Sequence, residues 1–429
     1  MNSSQNAASE WRSFWSLPVA AAFGYSTSVL HVYSLGPFIE PLQHDFGWSR
    51  AQIAGGITIT GTVAALFSIP IGLLVDRVGP RLIALIGVLL MTASYALLGT
   101  ATGDPTNWLL LWGIMAIANL FLQATVWTSA VASRFEESRG LAFAVTLSGA
   151  SVAAMVFPLL ATWLIGAHGW RKAFMGMGGI WAVLVFPILF LVFRGARDQR
   201  RKKLAPVPVD TRVLVGLSVP EGLRTPAFYR LVLASGLFTL PAIGIIVHFV
   251  PILKDAGADP LAAAGIASLV GIFSIFGRLG TGFVLDRLPG NLVGGGVFLL
   301  PIIACTLLYY SGANPSSQAV AAAIFGLTVG AEVDVIAYLA SQHFGLKRFG
   351  VFYGAMVGAL ALGAAFGPLA AGTAFDRYGS YKPFLVLTMI LMGVSSVAMV
   401  TLSRPRFGKQ RRLEPGPTPT IPEVVDRVV

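Results

Sequence analysis

The sequence predicts an all-α membrane protein in which twelve transmembrane helices form two pseudo-symmetric six-helix bundles. The apolar composition, the regular recurrence of long apolar runs and an internal repeat carry this prediction. Of the 429 residues, 55% are hydrophobic and only 11% are charged, whereas soluble domains carry roughly 25% charged residues. The chain therefore has too little polar surface for a soluble protein.

Long apolar runs recur along nearly the whole sequence. Each is long enough, at about 18–27 residues, to cross a bilayer core about 30 Å thick. We place them at 15–40, 51–75, 82–101, 107–133, 141–166, 171–194, 227–251, 261–285, 291–311, 318–342, 350–374 and 382–403. These twelve runs predict twelve transmembrane helices.

Positive charge is distributed unevenly between the predicted loops. Of the 30 Lys and Arg residues, six fall in loops on the outer side and Arg278 falls inside a helix, which leaves 23 on the inner side. Cytoplasmic loops carry such an excess, so we expect both termini in the cytoplasm. We therefore attribute the net charge of +11 to a protein whose partner is the lipid bilayer. We expect no nucleic-acid partner.

The two halves of the chain repeat at an offset of 210 residues. Three pairs of segments show this: PLQHDFG (41–47) with PILKDAG (251–257), GLLVDR (72–77) with GFVLDR (282–287), and GWRKAF (169–174) with GSYKPF (379–384). One offset at separate places predicts two parallel six-helix repeats, with a substrate site between them near the membrane midplane.

The repeat divides the chain into five parts. We predict a cytoplasmic N-terminal tail at 1–14, a six-helix bundle at 15–194, a basic cytoplasmic linker at 195–226, a second bundle at 227–403 and a cytoplasmic tail at 404–429. The linker composition fits a loop next to anionic lipid. The tail, with its GPTPT run, is expected to be disordered.

The sequence shows no pattern typical of an enzyme or a cofactor-binding protein. Cys305 is the only cysteine, so neither an intrachain disulfide nor a cysteine-based metal site can form. The chain also lacks a phosphate-binding glycine loop with Lys, a metal-spaced His pair and a nucleophile with a nearby base. We therefore expect no enzymatic activity, no cofactor and no metal.

Arg278 is a permanent charge inside the eighth predicted helix, in GIFSIFGRLGTGFVLDR (271–287). It precedes Asp286 by eight residues, which places it about 12 Å further into the membrane. The matching residue of the first half is Ser68, so the charge breaks the repeat. Because a guanidinium can hold a carboxylate through two hydrogen bonds, we predict that Arg278 binds substrate. A structural ion pair is the alternative.

Two carboxyl groups, Glu332 and Asp334, lie in the tenth predicted helix. Residues two positions apart point in different directions on a helix, so the two cannot both face one point. A buried carboxyl is costly to ionise unless a cation is near. Either residue could therefore carry a proton, and either could pair with Arg278 when substrate is absent.

The segment GLLVDRVGPR (72–81) resembles the loop between helices 2 and 3 of the major facilitator superfamily, and GFVLDRLPG is a degenerate second copy. The resemblance extends over nearly the whole chain and implies the major facilitator fold and alternating access. In that loop a carboxylate can cap the positive N-terminus of a neighbouring helix. The resemblance assigns gating to five residues: Asp76, Arg77, Arg81, Asp286 and Arg287.

Within the superfamily, three segments are similar to monocarboxylate porters and oxalate–formate antiporters: PFIEPLQHDFGWSRAQI (37–53), HFVPILKDAG (248–257) and GRLGTGFVLDR (277–287). The substrate-binding arginine of helix 8 in that group falls on Arg278. The chain departs from the group at Ser274, where animal members are acidic, and at Tyr33, where they have lysine. Residues 350–374 contain no Lys or Arg, although the antiporters have a lysine there. A single arginine fits a monoanion better than a dianion.

Other polar or aromatic side chains in the predicted helices could line the substrate site. The candidates are Tyr33, Gln123, His248 and Ser274, with His31, Asn119 and Trp127 as weaker ones. A tyrosine hydroxyl can donate a hydrogen bond to a carboxylate. A histidine can titrate near neutral pH, although a lone histidine in a helix more often packs as a hydrogen-bonding core residue.

Together these features predict a secondary active transporter of organic monocarboxylates, working by proton symport as a monomer in a bacterial inner membrane. An organic-anion exchanger and a proton-antiport exporter of drugs or metabolites are the alternatives. The fifth helix, TLSGASVAAMVFPLL, has Gly149 and Pro158 but not the full Gly-Pro motif of such exporters. Aliphatic, keto and aromatic acids all stay open as substrates.

Overall fold

Most of the chain that the structure describes is helical. This computed structural model describes residues 3–135, 138–195, 216–285, 287–310, 312–345, 347–403 and 407, with side chains omitted at 3–7, 68, 69 and 76. Apart from the helices, the described residues contain one isolated β-bridge, between Gly216 and Gly345.

The N-terminal half is built from helices of very different length. They are α1 (Ser3–Phe14), α2 (Ser16–Ser28), α3 (Leu30–Phe46), α4 (Arg50–Val78), α5 (Pro80–Leu97), α6 (Pro105–Leu120), α7 (Ala124–Ala132), α8 (Arg139–Leu147) and α9 (Gly149–Val192). Helices α2 and α3 follow each other across an irregular residue, Val29. Helix α9 turns back at Gly169, which has a φ of 77°, and Phe157 and Trp181 pack against each other on either side of the turn.

The C-terminal half has longer, less interrupted helices. They are α10 (Val219–Leu223), α11 (Pro226–Asp255), α12 (Pro260–Leu285), α13 (Gly290–Tyr310), α14 (Pro315–Phe344), α15 (Phe349–Tyr378) and α16 (Lys382–Val400). In the described chain, nine helical stretches are long and apolar enough to cross a membrane. One of them, 139–192, folds back at Gly169 and supplies two crossings. With residues 16–46 and α4, the chain accommodates the predicted twelve.

The repeat is visible in the backbone at glycines that end helices or turn the chain. Gly47 and Gly257 have φ values of 67° and 96°, and Gly169 and Gly379 have φ values of 77° and 64°. Each pair is 210 residues apart, and only glycine adopts positive φ without a steric cost. The repeated glycines therefore mark the same turns in both halves.

Two hydrophobic clusters form the core. One contains residues from Leu17 to Phe193 together with Val247, and the other contains residues from Ala227 to Leu402. Apart from Val247, they lie on either side of the predicted linker, 195–226, whose residues 196–215 are outside the described part of the chain. Nearly all of the predicted tail, 404–429, is also outside it; Phe407 donates its backbone N–H to the Gln342 carbonyl. The bundle boundaries remain predictions.

The two halves meet through three helix pairs: α3 with α11, α4 with α15, and α9 with α12. Close backbone approaches define these contacts. A Cβ on Gly36 would lie 2.6 Å from the Val247 carbonyl oxygen, and a Cβ on Gly372 would lie 2.7 Å from the Ala51 nitrogen. We call the surface that contains Arg50 the Arg50 face, and the opposite surface, which contains α1, the termini face.

Candidate functional site

Arg278 of α12 forms an ion pair with Asp334 of α14. Its Nη1 donates to the two carboxylate oxygens at 3.2 and 3.4 Å. The side chain of Arg278 is 12% exposed and that of Asp334 is 34% exposed. The guanidinium is not fully used by this pair, because its buried Nε has no partner among the described residues. The site thus holds a permanent cation with one N–H donor, at Nε, that an additional acceptor could use.

Glycines bring α12 and α14 close enough for this pair to form. A Cβ on Gly277 would lie 2.0 Å from the Leu327 carbonyl oxygen, and a Cβ on Gly330 would lie 1.9 Å from the Ser274 carbonyl oxygen. Both distances are far below a van der Waals contact. The two helices therefore touch backbone to backbone one position before Arg278 and four positions before Asp334.

Glu332 has a different hydrogen-bond partner from Asp334, although it lies within electrostatic reach of Arg278. It is only 5% exposed and is hydrogen-bonded to the Thr239 hydroxyl of α11. The same hydroxyl lies 2.9 Å from the Ser235 carbonyl oxygen. Since Thr239 has one proton, it can donate to only one of these oxygens at a time.

The positive charge of Arg278 acts on the hydroxyl groups of three tyrosines. Tyr25 and Tyr33 come from α2 and α3, and Tyr353 comes from α15; all three lie within electrostatic reach of the guanidinium. Tyr33 was a sequence candidate, whereas Tyr25 and Tyr353 were not. Tyr25 lies two helical turns before Tyr33, and that spacing was the signal available in the sequence. Both halves of the molecule thus supply hydroxyl groups to the surroundings of Arg278.

Ser274, also a sequence candidate, is buried in the contact between the halves. Its hydroxyl lies 2.7 Å from the Ser151 hydroxyl of α9 and 2.8 Å from the Gly271 carbonyl oxygen. One turn earlier, a Cβ on Gly271 would lie 2.4 Å from the Met155 nitrogen. Gly271 and Ser274 therefore form a tight helix contact, whereas a Cβ on Gly282, further along the same face, would meet nothing within 4 Å.

The candidates in the N-terminal half lie inside its own helix packing. Gln123 donates to the Ala64 carbonyl of α4 at 3.2 Å. His31 is hydrogen-bonded through Nε2 to the Thr60 hydroxyl at 3.2 Å. Trp127 donates to the Leu122 carbonyl, and the buried Asn119 Oδ1 has no partner among the described residues. None of these hydrogen bonds joins the group around Arg278.

His248 lies at the Arg50 face, nine residues beyond Thr239 along α11 and so about 13 Å from it. It is fully buried. Its Nδ1 lies 2.6 Å from the Tyr381 hydroxyl and its Nε2 lies 3.0 Å from the Pro368 carbonyl oxygen. Sequence reasoning grouped His248 with Arg278; the structure gives both of its ring nitrogens partners elsewhere.

Arg50 joins the two halves at this face. Its guanidinium donates to Asp255 at 2.7 and 3.1 Å and to the Tyr381 hydroxyl at 2.9 Å. The backbone N–H groups of Arg50 and Ala51 each donate to an Asp376 carboxylate oxygen at 2.9 Å, which caps α4 with a charge from the other half. We call Arg50, His248, Asp255, Asp376 and Tyr381 the Arg50 cluster.

Tyr381 keeps its proton within this cluster. Burial raises the pKa of its hydroxyl, although Arg50 nearby acts in the opposite direction. The hydroxyl therefore acts as a neutral group that accepts from Arg50 and donates to a neighbour. Sequence reasoning named His248 but missed the other members of the Arg50 cluster, because they come from separate parts of the chain.

Three of the predicted gating residues, Arg77, Arg81 and Arg287, are described and lie at the termini face. Arg81 donates to the Phe190 carbonyl at 2.7 Å, Arg287 donates to the Phe283 carbonyl at 3.0 Å, and Arg77 is exposed. Asp286 and the side chain of Asp76 are outside the described part of the chain. The gating role of these five residues remains a prediction.

A family model described as Major Facilitator Superfamily matches residues 21–368. "Monocarboxylate transporter 13" of Rattus norvegicus is 26% identical over 390 residues, which is 90% of this chain and 88% of that protein. "Oxalate:formate antiporter" of Oxalobacter formigenes is 23% identical over 382 residues, 88% of each chain.

A solved structure shows the same fold. The crystal structure of a D-xylose-proton symporter superposes with a TM-score of 0.72 at 12% identity, covering 91% of this chain and 98% of that one. Together with the family match, this confirms the predicted fold class of two six-helix bundles. The family match and the two relatives confirm the resemblance drawn from the loop and helix motifs.

Proposed function

We propose that this chain, which belongs to the Major Facilitator Superfamily, is a secondary active transporter that carries organic monocarboxylates together with a proton. One observation carries the substrate class: Arg278 is paired with one carboxylate, and its buried Nε has no partner among the described residues. A carboxylate substrate supplies the acceptors that this guanidinium lacks. The names of the two relatives support the same class.

Substrate and Asp334 compete for Arg278 in this proposal. In the empty site, Arg278 and Asp334 neutralise each other. When an anion takes the guanidinium, Asp334 loses its partner, and the site gains a negative charge in a largely apolar surrounding. Because ionised groups without a partner are costly there, Asp334 takes up a proton. One anion and one proton then cross together as a neutral load.

Glu332 has a different role in this scheme. If Thr239 donates to the Ser235 carbonyl, a protonated Glu332 can donate to Thr239 and satisfy both hydrogen bonds. We therefore propose that Glu332 stays protonated and holds α14 against α11. The coupling proton is assigned to Asp334, one of the two residues that the sequence left open.

The tyrosines fit a small organic anion. Tyr25 and Tyr33 approach Arg278 from one half and Tyr353 from the other, so an anion bound there can accept hydrogen bonds from both halves. Such shared contacts favour closure of the halves around a bound anion. We propose that the protein works as a monomer by alternating access. We place it in a bacterial inner membrane with both termini on the cytoplasmic side.

Anion exchange is the second candidate, and the printed name of the bacterial relative favours it. Uptake into proteoliposomes under an imposed pH gradient separates the two. Symport predicts accumulation of a radiolabelled monocarboxylate in vesicles that are acidic outside and empty inside. Exchange predicts uptake only when the vesicles are preloaded with an anion, whatever the gradient. Failure of every carboxylate tested, in both formats, would refute the proposed substrate class.

A further inference from the structure

We propose that His248 makes the closure at the Arg50 face sensitive to protons, so that protonation of its imidazole favours opening of this face. The proposal rests on alternating access, but it concerns a residue to which the proposed function assigns no role. It follows from the hydrogen-bond directions in the Arg50 cluster, from the burial of His248 and from the way the cluster joins the two halves.

The Arg50 cluster closes the molecule at this face. Arg50 and Ala51 belong to the N-terminal half, whereas Asp255, Asp376 and Tyr381 belong to the C-terminal half. The arginine guanidinium also lies 3.5 Å above the Phe375 ring. A second ion pair, Lys254 with Glu40, joins the halves nearby. Separation of the halves at this face must break the Arg50 contacts.

The hydrogen-bond directions within the cluster can be assigned. The Pro368 carbonyl can only accept, so Nε2 of His248 carries a proton and donates to it at 3.0 Å. In the neutral imidazole, Nδ1 is then an acceptor, and it receives the proton of the Tyr381 hydroxyl at 2.6 Å. That hydroxyl in turn accepts from Arg50. A single directed chain therefore runs from Arg50 through Tyr381 to His248.

A second proton on His248 contradicts this chain. Nδ1 would become a donor, so the Tyr381 hydroxyl would face two donors and its own proton would lose its acceptor. Two cations, Arg50 and the imidazolium, would then approach one oxygen atom. Because the site is buried, the unmatched groups cannot turn to water. The charged imidazole is therefore compatible with an open face and not with the closed one.

The charged groups around His248 act in opposite senses. Arg50 at the start of α4 opposes a positive charge on the imidazole, and Asp376 at the end of α15 favours it. Asp376 is already engaged by the N–H groups of Arg50 and Ala51, and Asp255 by the Arg50 guanidinium. On α3, Glu40 is paired with Lys254. In the closed state, no neighbouring carboxylate in the described chain is left to pair with an imidazolium at His248.

Thiol labelling at the interface tests the proposal. Val250 is 3% exposed and lines a small cavity between the halves, together with Tyr33 and Pro37. In a Cys305→Ser background, Val250→Cys reacts with a membrane-impermeant maleimide on the Arg50 face only when that face opens. Thr102→Cys, on an exposed loop of the same face, gives the reference rate at each pH.

We expect the relative labelling rate to rise on acidification without any carboxylate present. If opening returns the imidazole to water, its ordinary pKa of about 6.5 applies to the open state, and the rate rises about tenfold between about pH 7.5 and about pH 5.5. His248→Gln should abolish this rise. His44→Gln, which removes an exposed histidine from the same face, should retain it.

A second variant keeps the test valid if His248→Gln fails to fold. Tyr381→Phe removes the hydroxyl that links Arg50 to His248, so labelling should already be fast near neutral pH and change little with acid. The proposal would be overturned if the labelling rate of the parent did not rise on acidification. It would also be overturned if His248→Gln or Tyr381→Phe showed the same rise as the parent. Because the labelling experiment uses no substrate, its failure would not affect the proposal that the protein carries carboxylates. Failure of the carboxylate experiments would likewise not affect the proposed role of His248.

Discussion

The Arg278 guanidinium and the Asp334 carboxylate lie 3.2 Å apart between α12 and α14, although 56 positions separate them in the sequence. The pair places one positive and one negative charge at the same point of the membrane interior. Removal of either side chain leaves the other without its partner, and an incoming anion can replace only Asp334. The predictions below depend on that asymmetry.

Asp334→Asn should tighten carboxylate binding and uncouple it from protons. The amide cannot compete as an anion for Arg278. Since hydrogen bonds to charged groups contribute about 1.5–3 kcal/mol, and Asp334 is partly exposed, we expect affinity to rise about threefold to tenfold. Binding should also lose its dependence on pH, because the group that takes the proton is gone. Titration calorimetry at two pH values checks both effects, and weaker binding would contradict the competition.

Glu332→Gln is the matched comparison on the same helix. A glutamine amide can donate to Thr239 as a protonated carboxyl does, so proton-driven uptake should stay within about twofold of the parent. Proteoliposomes with an imposed pH gradient provide the measurement. Loss of gradient-driven accumulation, with exchange retained, would move the coupling proton from Asp334 to Glu332.

Gly277→Ala should destabilise the C-terminal half. The new methyl carbon would lie 2.0 Å from the Leu327 carbonyl oxygen, and overpacking of this kind costs about 1–3 kcal/mol. It should also weaken carboxylate binding, since α14 must move away from Arg278. Thermal unfolding of the purified protein in detergent reports the first effect, and calorimetry the second.

Gly280→Ala serves as the control for that substitution. It lies three residues further along α12, where a Cβ would meet nothing within 4 Å. Alanine favours a helix over glycine by about 1 kcal/mol, so the midpoint of unfolding should stay the same or rise. Equal losses in the two variants would mean that the close contact of α12 with α14 does not position the site.

Much of the fold could be predicted because its signals are local or repeated. Apolar runs predict helices, and the 210-residue offset placed equivalent turns at Gly47 and Gly257, which both have positive φ. Arg278 stood out because its repeat position is Ser68. The choice between Glu332 and Asp334 as its partner needed the rotation of α14, which the sequence does not specify.

The Arg50 cluster shows where the repeat is a poor guide. Asp45 and Asp255 are repeat equivalents, 210 residues apart, but their partners differ. Asp45 accepts from the Trp170 indole at 2.7 Å within its own half, whereas Asp255 pairs with Arg50 across the halves. The position that matches Arg50 is Pro260, which cannot supply an equivalent ion pair. Contacts between the halves depend on their relative placement, and no local pattern encodes it.

Carboxylate binding to Arg278→Gln tests the central claim most directly. Calorimetry on the purified parent, with aliphatic, keto and aromatic monocarboxylates and their uncharged amides, identifies a ligand that binds as the acid only. Arg278→Gln should then bind that acid at least about tenfold more weakly, because a charge-assisted pair of hydrogen bonds is lost. Arg224→Gln, at an exposed position, should bind as the parent does. Parent-like binding of the acid by Arg278→Gln would contradict the assignment of Arg278 as the carboxylate site.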